Sequence, residues 1–181
     1  MPRVKIENIP LAVQRGIKFR ILADEREKLP WTFFRFWKRA PFDYCNKHRL
    51  LTSDYSIEGG QHYLAIERKS AVDLLSTLSL GLDVNGRRKR DRFELELGRM
   101  QADVQNCFVI VEAPLSRILQ AGVNWKGQLA KTLLLRAIVR LKRRYPKIKW
   151  ELYPDRDAAE ARAFDLLYSA YLTLQKDGVF A

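Results

Sequence analysis

"AIERKSAVD", residues 65–73, sets two acids, an arginine and a lysine within seven positions, directly behind an apolar stretch that reads as a buried strand. Removing an ion from water costs several kcal/mol unless a partner or a metal compensates. Successive strand side chains alternate between faces, so Glu67 and Lys69 share one face and Arg68 takes the other. Upstream, "LLTSDYSI" (50–57) and "QHYLAIERK" (61–69) lie around "EGGQ", the pattern of a β-hairpin. That hairpin brings Asp54 onto the face of Glu67 and Lys69. Two neighbouring carboxylates repel unless a cation lies between them, and hard oxygen ligands suit magnesium or manganese. A lysine beside such an ion can orient a water and stabilise charge on a phosphate, which together describe metal-assisted phosphodiester hydrolysis. The plainer alternative is a set of exposed salt bridges at a strand-to-helix junction.

The rest of the chain supplies alternating strands and helices. "IKFRILADERE" (17–27) is a strand that delivers Asp24 to its end, and "LPWTFFRFWKRA" (29–40) is expected to be a helix packed through Trp31, Phe34 and Trp37. Ser70 caps a short helix with Asp73 at its third position, close to a capping box. "DVNGRRKRD" is a polar basic loop. "RFELELGRMQADV" is an amphipathic helix with Phe93, Leu97, Met100 and Val104 on one face, followed by the central strand "CFVIVEA". A long helix should start at Asn124, bury Leu129, Leu133, Ala137 and Leu141, and carry Lys131, Arg136, Arg140, Arg143 and Arg144 on a basic side. "KIKWELY" is a further strand, and Asp155 caps a last helix with Phe164, Leu167, Tyr168 and Tyr171 inward. This order implies an α/β fold with a mixed sheet flanked by helices.

Size and composition agree. The 181 residues suit one domain (1–181), with a core of about 17–113 and a C-terminal part of about 114–181, and 47% of them are hydrophobic. Lys plus Arg number 33 against 21 for Asp plus Glu, a net charge of +12, and the pI is near 9.9. Such a balance favours polyanions, nucleic acid first. Cys45 and Cys107 lack metal-ligand spacing, as do His48 and His62. No leader-like segment or run of about 18 apolar residues is visible, so an intracellular, cytoplasmic protein without a membrane span is expected.

Three segments in order are more specific than any one. "ILADERE", "TSDYSI" and "IERKSAVDLL" give strand-D-x-R-E, an S/G-D-Y turn and E-R-K-x-x-x-D. The chain resembles the XPF-type structure-selective endonucleases, from Phe19 through "FVIVEAP" and more weakly in the last two helices. The resemblance implies a restriction-endonuclease-like core and a metal held by Asp54, Glu67 and the backbone carbonyl of Arg68, with Lys69 serving water and phosphate. Asp24 then lies at the edge of the site, Arg26 and Glu27 complete the first motif, and Arg68 and Asp73 brace the junction. For Asp73, capping and a direct catalytic part fit equally, and Glu112 reads as a structural charge. Ser53 stands where that family usually has glycine. The chain resembles compact versions without helicase or helix-hairpin-helix modules, so its own surface must hold DNA. Arg87, Arg88, Lys89, Arg90 and Arg92 form one expected phosphate clamp, and the basic side of the long helix is either a second patch or a solubilising face. The resemblance further implies a homodimer. The implied function is endonucleolytic cleavage of branched or flap-like DNA in recombination, repair or viral DNA processing. Two rivals are a non-catalytic DNA-binding scaffold and a ribosome-associated basic protein.

Overall fold

The computed structural model describes residues 19–78, 89–126 and 128–179, without the side chains of 89–91 and 123–130. Six strands form one sheet in the order β2-β1-β3-β4-β5-β6. They are β1 (Arg20–Asp24), β2 (Asp43–His48), β3 (Tyr55–Ile57), β4 (Leu64–Lys69), β5 (Asn106–Val111) and β6 (Ile148–Leu152). β1 runs parallel to β2, and β4, β5 and β6 are mutually parallel, while β3 is antiparallel to both β1 and β4. The helices are α1 (Ala71–Leu78), α2 (Lys89–Asp103), α3 (Leu115–Lys126), α4 (Gln128–Arg144) and α5 (Arg156–Lys176). The expected mixed sheet flanked by helices is what the chain forms.

Strand alternation divides the interior into two cores. Ile21, Ala23, Tyr55, Ile57, Ile66, Phe108 and Ile110 face α5 and an aromatic segment that contributes Trp31, Phe33 and Phe42. Ala65, Cys107, Val109 and Val111 face the opposite way, onto Leu74, Phe93, Leu97, Met100, Ile118 and Leu141 from the first four helices. Because both faces are covered, β5 is a continuous apolar run, as expected of a central parallel strand. The face named from periodicity is buried at Phe93, Leu97 and Met100 of α2 and at Val104 just past its end, and Asp155 caps α5 by accepting the Ala158 N–H at 2.8 Å.

Four local expectations fail. The aromatic segment 29–40 is not an α-helix: it has one 3-10 turn, Phe34–Phe36, entered through Phe33 at φ 61°. Glu160 of α5 accepts the Thr32 and Phe33 N–H groups, and Arg156 donates to the Leu29 and Pro30 carbonyls, so bonds to α5 replace a helical ladder. The long helix is two helices, and Asn124 lies inside α3 rather than at a cap. Leu134, not Leu133, is buried on α4, whereas Leu141 is buried as expected. Gly122 permits the close approach of α3 to α4, since a Cβ there would meet Leu134 Cδ1 at 2.4 Å. Finally, the basic stretch is not wholly a loop, because Lys89, Arg90 and Arg92 belong to α2; Arg87 and Arg88 lie outside the described residues.

Candidate active site

β1, β4 and β5 all end on the same edge of the sheet, and β3 begins there. In open α/β sheets this carboxyl edge is where ligands bind. A cleft of about 540 Å³ occupies it, lined among others by Asp24, Arg26, Glu27, Asp54, Glu67, Arg68, Lys69, Asp73, Arg92 and Glu96. The register pairs Tyr55 with Ile66, and one further step sets Asp54 against Glu67. Directly opposed residues point to the same face, as the hairpin predicted. The Arg68 N–H donates to Asp54 Oδ2 at 2.8 Å, which orients that carboxylate.

Glu67 is 2% exposed, so it is no surface salt-bridge residue. Its Oε1 takes the Lys69 ammonium at 2.8 Å, while its buried Oε2 has no hydrogen-bond partner among the described residues. Lys69 also sits over the Phe93 ring of α2, 4.6 Å from its centroid. Burial alone would depress the Lys69 ammonium, but the Glu67 and Asp54 carboxylates outweigh it and hold its pKa above the ordinary value. Burial, then the charge of Glu67, raises the Asp54 carboxyl well above the usual range.

Arg68, on the opposite face, is locked away from the cleft chemistry. It makes a bidentate pair with Glu112 at 2.7 and 2.8 Å and reaches Glu27 at 3.2 Å. Glu112 also accepts Trp31 Nε1 and Arg156 Nη1, which makes it the structural charge expected from the sequence. Asp24 is 3% exposed and takes four donors: Arg26 N and Nε on Oδ1, Arg26 Nη2 and the Leu50 N–H on Oδ2. Burial would raise its pKa, but the Arg26 and Leu50 bonds overcome this and lower it. Asp73 lines the cleft while exchanging bonds with the Ser70 hydroxyl, which donates to Asp73 Oδ2 at 2.6 Å and accepts the Asp73 N–H at 3.1 Å.

The donors fit a small hard cation in part. Asp54 and Glu67 offer paired carboxylates with one orphaned buried oxygen, which a cation would satisfy. Among the described residues no three His, Cys, Asp or Glu side chains come close enough to hold a metal ion. Any ion here would therefore complete its shell with backbone oxygen and solvent.

Residues 23–151 match the ERCC4 domain, a span that holds every cleft-lining side chain named above. The chain belongs to the ERCC4 domain family. Its fold is that of the XPF nuclease domain, the restriction-endonuclease-like fold. XPF from Aeropyrum pernix in complex with DNA superposes with a TM-score of 0.59 at 18% identity, over 86% of this chain and 66% of that one. XPF from Aeropyrum pernix without DNA gives 0.59 at 19%, over 87% and 67%. The ERCC4-domain chain thus spans about two thirds of those proteins. No curated protein matches it. Among the described residues, no helix is long and apolar enough to cross a membrane.

Sequence reasoning missed Glu96. It lies on α2 one turn beyond Phe93, and its carboxyl is pushed up to about 7 by burial and then by Glu67. The signal was present: in "RFELELGR" Arg92 and Glu96 sit four apart, flanking the buried Phe93–Leu97 face, the spacing that puts both on one side of a helix.

Proposed function

We propose that this ERCC4-domain protein is a divalent-metal-dependent endonuclease that hydrolyses phosphodiester bonds in branched or flap-like DNA. The observation that carries the proposal is the orphaned, buried Glu67 Oε2 beside Asp54 and Lys69 at the carboxyl edge of the sheet. Asp54, Glu67 and the Arg68 carbonyl would hold magnesium or manganese, which supplies Lewis acidity and a more acidic water. The remaining work falls to side chains. The Arg68 amide keeps Asp54 aimed, and the Glu67 pair and the Phe93 ring hold the Lys69 ammonium where it can meet a phosphate oxygen. Glu112 fixes Arg68 so that β4 cannot turn its other face to the cleft. Arg92 on the cleft wall, with the basic start of α2, would bear on the phosphate backbone and position DNA without reading sequence. A family relative's structure with DNA supports DNA as the substrate class.

The same proposal includes a homodimer joined through the last two helices, where Leu133 and Val139 of α4 and Leu172 of α5 are exposed. Light scattering should show a dimer at tens of micromolar; a fully active monomer would refute that part.

The deciding experiment compares wild type with Asp54→Asn, Glu67→Gln and Lys69→Ala. Nicking of flap, fork, junction and linear duplex DNAs is measured with magnesium or manganese, and DNA binding is measured in parallel. The variants should bind DNA and lose about 10²–10⁴ in rate. Wild-type nicking by Glu67→Gln would falsify the metal-site reading, and a wild type that binds but never nicks would favour the scaffold alternative.

A further inference from the structure

α2 contributes three residues to the cleft lining: Arg92, Phe93 and Glu96. Phe93 has an evident task beneath the Lys69 ammonium. Glu96 has none. It is partly buried in the cleft wall, with no hydrogen bond or salt bridge to its carboxylate among the described residues, yet the fields of Glu67, Lys69, Arg92 and Arg99 all act on it. A carboxylate kept partly out of water beside the Glu67 carboxylate is costly unless something positive or hydrogen-donating comes to it.

The Asp54–Glu67 pair is too small a donor set to strip a hard cation. Magnesium and its relatives keep several waters and take only one or two carboxylates directly. Those waters are donors, and they need acceptors fixed in the surrounding wall. We infer that Glu96 is that acceptor, a positioning residue that takes hydrogen bonds from the solvent retained by a divalent cation at Asp54 and Glu67. This rests on the metal-site reading above and adds α2 to it. It also agrees with the absence, among the described residues, of any three acids near enough to hold one ion directly. Loss of such an outer partner typically weakens metal affinity about 10–100-fold.

The test is calorimetric titration of the full chain with Mn²⁺, in the absence of DNA. Circular dichroism checks the fold of each variant. Wild type should bind, and Asp54→Asn should abolish binding. Glu96→Leu and Glu96→Ala, which remove the acceptor with and without filling its space, should each raise the Kd roughly 10–100-fold, while Glu96→Gln, which keeps one uncharged acceptor oxygen, should recover part of the affinity. Asp103→Asn, an exposed change at the far end of the same helix, should leave the Kd alone. If Glu96→Leu or Glu96→Ala folds and shifts the Kd by no more than about twofold, the role of Glu96 is refuted and the Asp54–Glu67 site stands. A wild type that binds no Mn²⁺ overturns that site itself, and this inference with it.

Discussion

Two buried carboxylates lie near the carboxyl ends of β1 and β4, strands separated by β3 on one edge of the sheet, and they have met opposite fates. Asp24 and Glu67 are 3% and 2% exposed. Asp24 receives four donors, two of its bonds from the Arg26 guanidinium and two from backbone amides, so both oxygens are spoken for. Glu67 receives one ammonium on one oxygen and faces Asp54 instead of a second donor. Local chain geometry explains the contrast. Arg26 follows Asp24 by two residues in a turn that folds the guanidinium back. Glu67 stays within an extended strand, where its nearest cation is Lys69 and Arg68 must point away. One acid is finished by the protein, and the other is left for something else to finish.

The sharpest way to break this comparison is to neutralise both. Glu67→Gln should slow nicking about 10²–10⁴-fold with the fold intact. Asp24→Asn should act mainly on stability, by about 3 kcal/mol, because it uncouples a buried charge network. Denaturant unfolding of the two variants, alongside rates, separates them. Equal destabilisation would erase the distinction.

A second effect concerns pH. Glu96 carries a carboxyl raised from 4.5 to about 7 in the metal-free protein. Through this group the folded state binds more protons than the unfolded chain between those values, so its contribution to stability is most favourable below pH 4.5 and falls as pH rises toward 7. The loss from this group is up to about 3 kcal/mol. Glu96→Gln should flatten the decline in metal-free protein, and the raised Asp54 carboxyl adds to it in the same direction. Thermal melts from pH 4.5 to 8 in a chelator would show a flat wild type if the cleft acids were ordinary.

The smallest effect lies in the turn that delivers Asp54. Ser53 is buried at φ 71°, in the left-handed region, and its hydroxyl donates to the Tyr55 carbonyl at 3.3 Å. Ser53→Gly relieves about 1–2 kcal/mol of backbone strain. It gives back part of that through unfolded-chain entropy and the lost bond, for a net gain of roughly 0–1 kcal/mol. A melting temperature lowered by the change would show that the hydroxyl outweighs the strain.

Legibility followed the strength of local pattern. The hairpin, α2 and β5 could be read because apolar periodicity and a glycine turn agreed there, and the face shared by Asp54, Glu67 and Lys69 followed from alternation. β2 was not anticipated: "DYCNKH" pairs at the sheet edge with only Tyr44 buried, so it carries no apolar signature. The aromatic segment misled because its spacing suits a helical face, whereas its groups are held by Glu160, Arg156 and a buried Tyr55 hydroxyl, all remote in sequence. Glu96 escaped notice for a related reason. Its neighbours in the cleft come from β4, and nothing within α2 alone announces them.

The pairing of Arg68 with Glu112 across the back of β4 reaches beyond the cleft to the way the strand finds its place. Sliding β4 by a single residue would carry Arg68 into the space of Glu67 and press Glu67 toward Trp31 and the aromatic core. Arg68 and Lys69 would then lose their partners at once, and Glu112 would keep only Trp31 and Arg156. The alternating charges therefore act as teeth on a key: only one insertion of the strand engages both sides of the lock, so misregistered sheets are rejected during folding before any substrate is met.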